Sequence, residues 1–161
     1  MGCDIHIGVE KRTSRGWVAV KKVNTWYEPN DEYSKPHTCV VIDGHRNYEL
    51  FGALSGVRDT SIERFEFSYE GFPDDVSNES SDYFDYENYG DLHSHTHLYL
   101  DDLFEAAEEE DKAEKRTYDK SWQDQSYNIL LEFAAYIKKQ VDELLPGVDP
   151  GDLRLMICYD N

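Results

Sequence analysis

An α+β domain is what this sequence predicts, and three observations predict it. The chain opens and closes on runs with strand patterning, helical periodicities lie between them, and no internal repeat divides it. The expectation is a single domain over residues 1–161, with a mostly antiparallel sheet that includes the N- and C-terminal strands side by side and about three helices packed on it. The length of 161 residues is one domain's worth, and 39% hydrophobic with 14% aromatic residues supplies a core.

Each element follows from its local pattern. Residues 2–10 (GCDIHIGVE) set Cys3, Ile5, Ile7 and Val9 against Asp4, His6, Gly8 and Glu10, a strand with one polar face. Residues 12–16 read as a turn and 17–23 (WVAVKKV) as the returning strand of a hairpin. Pro29, Asn30, Asp31 and Pro36 make 27–37 an irregular loop, and the β-branched run 38–42 is a short strand or extended segment. After Asp43-Gly44, the spacing of Leu50, Phe51, Leu54 and Val57 predicts a helix over 47–57. Residues 62–69 alternate, a strand with Phe65, Phe67 and Tyr69 on one face, and 71–91 is a loop within an acidic segment of about 70–97. Leu100, Leu103, Phe104 and Ala107 predict a helix over 98–110, with Asp101 and Asp102 in its first turn. The last helix runs over 121–145 on a stripe of Ile129, Leu130, Phe133, Ile137, Val141 and Leu144, with Ser121 as its cap and Pro146-Gly147 as its stop. Residues 153–159 (LRLMICY) form the buried final strand.

The charge is unevenly spread. With 34 acidic and 16 basic residues the net is -18, and residues 61–111 hold 17 acids against one base, Arg64. Such a face repels phosphate backbones, so direct nucleic-acid binding by it is not expected. It attracts a basic partner, such as the nucleic-acid groove of another protein; the plain alternative is a solvated face that keeps the chain soluble. No apolar run approaches the roughly 20 residues of a membrane span, and Asp4 and His6 stand where a secretory signal has a basic then apolar stretch. A cytoplasmic location away from membranes is therefore expected. Three cysteines without CxxC spacing suggest reduced, mostly buried thiols.

The densest chemistry is His93-Ser94-His95-Thr96-His97. In an extended segment the three imidazoles share a face, which suits a divalent transition metal, zinc, manganese or iron. A second period-two pair, Asp4 and His6, lies on the polar face of the first strand. Were the two strands adjacent, Asp4, His6, His93 and His95 would form a metal set, with His6, His93 and His95 as the acid–base residues of a hydrolase. The structural alternative has these histidines bonding backbone and Asp4 pairing with an arginine. Arg46 and Arg58 flank the short helix; a guanidinium there can grip a phosphate, although Arg58 suits better a place against the dipole at the helix C-terminus and Arg46 equally suits an ion pair with Asp4 or Asp43. Cys3 points away from Asp4 and His6, which disfavours a Cys-His nucleophile. There is no P-loop, dinucleotide fingerprint, GxSxG or HExxH, so kinase, dehydrogenase and serine-hydrolase readings lack a motif.

Five blocks, MGCDIHIGVE, HRNYELFGALSGVR (45–58), GFPDDVS (71–77), HSHTHLYLDDL (93–103) and LRLMICYDN (153–161), resemble in order a family of small proteins encoded by bacteriophages and prophages. The resemblance covers both termini and brings a phage setting but no reaction. It implies importance for Asp4, His6, Arg46, Asn47, Arg58, Asp74, Ser77, His93, Ser94, His95, Asp160 and Asn161. It also implies that Asp160 lies inside the fold, with Arg46 or His6 as its polar partner. The chain departs from the family at His45, where Gly is usual, and at Phe72, Thr96 and His97.

Two functional expectations follow. In the first, a host-interaction or counter-defence protein acts in the bacterial cytoplasm and binds or hydrolyses a nucleotide-like phosphate ligand. Its acid–base or metal residues are Asp4, His6, His93 and His95, and its ligand contacts are Arg46, Asn47, Arg58, Asp74 and Ser94. In the second, a non-enzymatic acidic inhibitor mimics nucleic acid and occupies a basic host protein. A virion-associated structural role is a third reading without a positive feature. Homo-oligomerisation is compatible with each, and the aromatic stretch 83–89 (YFDYENY) suits a protein contact.

Overall fold

The computed structural model describes residues 4–32, 34–57, 62–85, 92–116 and 125–160. Its main sheet joins β1 (Ile5–Thr13), β2 (Gly16–Ala19), β5 (Ile42–Asp43), β6 (Tyr69–Glu70), β7 (His93–Tyr99) and β8 (Leu153–Tyr159). The strand order is β2-β1-β8-β7-β6, with β5 also on β1, and every pairing is antiparallel. The terminal strands lie side by side as expected, with Ile7 opposite Ile157 and Val9 opposite Leu155. β3 (Lys22–Val23) and β4 (His37–Thr38) form a separate two-stranded ribbon. The helices are α1 (Tyr48–Ser55), α2 (Asn78–Phe84), α3 (Leu100–Arg116) and α4 (Gln125–Leu144), and a 3₁₀ turn (Pro150–Asp152) leads into β8.

Alternation along β1 and β8 divides the sheet into two faces. Ile5, Ile7, Val9, Leu153, Leu155 and Ile157 enter the main core with Leu50, Leu54, Leu103, Phe133 and Ile137 from α1, α3 and α4. The other face carries Met156 and Cys158, packed with Cys39 and Phe84 of α2. Gly8 allows this packing, because a Cβ there would sit 2.9 Å from Phe84. Cys39 and Cys158 are buried and form no disulfide, as the sequence suggests, and burial pushes the Cys39 thiol up to about 11. Among the described residues no helix is long and apolar enough to cross a membrane.

Several expected elements differ. The hairpin return ends at Ala19, and residues 22–23 leave β1 to pair with β4. The run 38–42 divides between β4 and β5, which belong to different sheets. Residues 62–68 are not a strand: Ile62 and Phe65 both enter the core, the Phe65 N–H bonds to Ala53 O, and a turn closes from Ser68 N to Phe65 O. Burial on α1 overrides the two-residue alternation. The expected loop 71–91 contains α2, a seven-residue helix capped by Ser77 and held by buried Phe84. Ser121, the expected cap of the last helix, lies outside the described residues, as do Cys3, Arg58 and Asn161.

Candidate functional site

β1 and β7 are not neighbours, because β8 runs between them. The adjacency that would join Asp4 and His6 to His93 and His95 is therefore replaced by pairing of each strand with β8. His6 lies opposite Cys158, and His93 opposite Tyr159. The three histidines of β7 also fail to share a face. Register shifts between His93 and Thr96, where Ser94 adopts a left-handed φ of 52°. The extra residue of this bulge turns His93 toward Phe51 and Tyr159 on the main-core side, with Nδ1 2.9 Å from Ser94 Oγ. His95 points to the opposite face, where its ring meets Phe72 edge-on and Nε2 donates to Phe84 O at 2.7 Å. His97 lies on that same face, its Nδ1 donating to Gly71 O, and burial lowers its pKa.

The segment does bring one predicted set together. At the start of β1, His6 Nε2 donates to Asp160 Oδ2 at 2.8 Å, Asp4 N donates to Asp160 Oδ1 at 2.9 Å, and Arg46 Nε donates to Asp4 Oδ1 at 3.0 Å. Asp160 thus has His6 as its partner, one of the two that its place inside the fold suggests. Burial works to raise the Asp160 carboxyl, but hydrogen bonds from His6 and the Asp4 N–H outweigh it and hold the carboxyl below its ordinary value. The side chains are accessible, 28% for His6 and 35% for Asp160. Because Nε2 is occupied, the other ring nitrogen, Nδ1, carries the lone pair of neutral His6, the arrangement of a carboxylate-oriented general base.

Beside Arg46 lies a cleft of about 250 Å³, floored by Leu50, Ile129 and Phe133 and rimmed by His45, Asn47 and Tyr136. Asn47 caps α1, its side chain accepting from Leu50 N at 3.0 Å. His45 holds φ at 56°, a left-handed conformation that residues with a side chain rarely adopt. Asp74 is exposed, and its neighbour Asp75 makes the ion pair instead. The bulge places Ser94 against His93 rather than at the cleft.

As a single metal centre, Asp4, His6, His93 and His95 do not fit this arrangement. A bulge separates the faces of the two β7 histidines, and Asp4 and the Nε2 of His6 already bond Arg46 and Asp160. Among the described residues no three His, Cys, Asp or Glu side chains converge as metal ligands.

A second ionic group on the same face has no counterpart in the sequence-based expectations. Arg154 and Glu10 are both fully buried, with Nη2 2.6 Å from Glu10 Oε2, and Nη1 reaches Asp75 at 2.6 Å. Ser77 N donates to Glu10 Oε1 at 2.8 Å, and Trp17 stacks 4.1 Å from the guanidinium carbon. Its sequence signal is an arginine inside the apolar run LRLMICY, which demands a buried anion.

The acidic segment is displayed at the surface, with Lys112 of α3 pairing Glu108 and Glu109 there. Glu63, Glu66, Glu70, Asp74, Glu79, Asp82, Asp85, Asp101, Glu105 and Glu108–Glu110 are all exposed. The segment's one base, Arg64, has Nε and Nη2 buried without a hydrogen-bond partner, so it forms no close ion pair with these carboxylates. No family model, curated protein or solved structure matches this chain.

Proposed function

We propose that the protein is a non-catalytic docking module whose acidic surface occupies a basic groove on a partner protein. In the phage setting that the resemblance implies, the partner is a host nucleic-acid-binding protein in the bacterial cytoplasm. The observation that carries this reading is the exposed carboxylate surface of α2 and α3. Carboxylates displayed on helices reproduce the charge but not the chemistry of a phosphate backbone, so they compete for the same basic groove. The test measures binding to a basic DNA-binding protein of the host, with duplex DNA as competitor. Wild-type protein should bind in a salt-dependent manner and be displaced by DNA, and reversal of Asp82 and Asp85 to Lys should weaken binding about tenfold or more. Binding that ignores salt and both reversals sinks the proposal.

A second reading rests on the His6–Asp160 pair. Oriented by Asp160, His6 would act as general base toward a ligand whose phosphate contacts Arg46 beside the 250 Å³ cleft. Electrostatics weighs against it, since Asp4 already holds Arg46 and two carboxylates share the corner with it. The test is hydrolysis of nucleotide phosphoesters by wild type and His6→Ala, together with metal content of untagged protein and of the His93→Ala, His95→Ala double mutant. Turnover lost with His6 would favour this reading over docking; equal, negligible rates would remove it. A stoichiometric metal lost from the double mutant would restore the histidines as ligands.

A further inference from the structure

The acidic surface has an opposite within the same molecule. Between Lys11 and Tyr27 the chain carries five cations, Lys11, Arg12, Arg15, Lys21 and Lys22, and no carboxylate. Among the described residues none of the five is ion-paired. Among the described residues, four of the six exposed large hydrophobics also fall there: Val18 at 40%, Val23 at 69%, Trp26 at 86% and Tyr27 at 40%. Trp26 is held in place rather than on a loose tail, since its N–H donates to Asn24 Oδ1, and Asn24 is bonded to Lys35 O and, through its own N–H, to Pro36 O. A tryptophan presented on a fixed turn, following Lys21 and Lys22 in the chain, has the composition of an interface anchor.

Lys11, Arg12 and Arg15 lie in the β1–β2 hairpin and Lys22, Val23 and Trp26 in the β3 segment that follows it; β2 ends the strand order on one side and β6 on the other. Four interstrand spacings separate them, about 19 Å. On the β6 side an open cleft of about 330 Å³ is lined by Glu66, Phe67, Tyr69, Asp102, Glu105 and Glu109. Burial, with Asp101 and Glu105 nearby, holds the Asp102 carboxyl above its ordinary value, so an arriving cation would relieve crowding there.

We propose that the basic, Trp26-bearing edge at β2 binds the acidic β6–α3 edge of a second copy of this chain, head to tail. Trp26 enters the cleft against Phe67 and Tyr69, and Lys21 and Lys22 meet the carboxylates around it. The two surfaces differ and lie on opposite edges, so the contact is heterologous and extends to further copies. It covers Glu105 and Glu109, and so withdraws part of the acidic surface from other partners. The inference goes beyond the docking function and does not depend on it, because it is read from the protein alone.

The net charge of -18 opposes association at long range, while the contact itself is attractive. Screening with a Debye length of about 8 Å near physiological salt suppresses the first more than the second. Sedimentation velocity of the full chain over a concentration series should therefore show association that rises from low to physiological salt and falls again near 1 M. Trp26→Ala and the pair Lys21→Glu, Lys22→Glu should each weaken it about tenfold or more. The pair Glu105→Lys, Glu109→Lys should do the same, and mixing the two charge-reversed proteins should restore assembly. All these positions are exposed, and unchanged circular dichroism confirms folding. A wild type that stays monomeric at every concentration and salt overturns the proposal. So does association untouched by the variants, or a monomer that captures poly-glutamate or single-stranded DNA through Trp26.

Discussion

Two ionic groups lie on one face of one sheet, and their environments separate them. At one end, Arg154 and Glu10 are fully buried, and Asp75, Ser77 N and Trp17 complete their partners. At the other, His6, Asp160, Asp4 and Arg46 form a chain of single contacts with side chains between 28% and 53% exposed. The first group fastens the 71–77 segment and the start of α2 onto β1 and β8. The second joins the two chain ends yet leaves an imidazole nitrogen and a guanidinium near solvent. Burial makes a charge pair structural and costly to break, whereas exposure leaves it exchangeable.

The largest effect should come from breaking the buried pair. Arg154→Met strands Glu10 without a counter-charge and should cost about 3–5 kcal/mol, read as a lower urea midpoint. Replacing Glu10 and Arg154 together by Met should cost less than the single change. A double mutant as damaged as the single would mean that the pair contributes more than mutual neutralisation.

Asp160→Asn tests the exposed group and should cost about 1 kcal/mol at neutral pH, discounted for solvent access. Its pH dependence has a definite sign. The folded-state pKa of Asp160 lies below the ordinary value of 3.8, so the unfolded chain takes up the proton first. The stabilisation is complete above the unfolded value and disappears as pH falls through the folded one. Urea midpoints between pH 6 and 3 should fall more steeply for wild type than for Asp160→Asn. Parallel curves would show that the carboxylate contributes no charge-dependent stability.

Smaller effects sharpen the contrast further. Ser94→Val should cost about 1–3 kcal/mol, because a β-branched residue resists the left-handed bulge, whereas Ser94→Gly should change stability by less than about 1 kcal/mol. Equal costs would place the Ser94 contribution in its hydroxyl contact with His93 instead. Reversal of Asp82 and Asp85 should move stability by no more than about 0.5 kcal/mol, since both are exposed, so any loss of partner binding is not a folding defect.

The parts of the fold legible in the sequence are those with a long, clean period. The final strand is observed at Leu153–Tyr159, as its apolar run predicts, and the stripe Ile129, Leu130, Phe133, Ile137 and Val141 is buried on α4. α2 was not legible, because seven residues resting on one aromatic and a serine cap leave no periodicity to read. The candidate site was half legible. Asp160 and His6 do meet, but the histidine triplet divides because one bulged residue inverts a two-residue period, and no local pattern announces a bulge.

By itself the sequence determined the α+β class, the strand and helix periodicities at both ends, and a charge concentrated between residues 61 and 111. These are local properties, set by side-chain spacing and composition. Only the tertiary structure decided that β8 separates β1 from β7, that His93 and His95 face opposite sides, and that Glu10 neutralises Arg154 across 144 positions of chain. Such outcomes depend on which distant surfaces bury one another, and a two-residue alternation carries no information about the neighbour across the sheet.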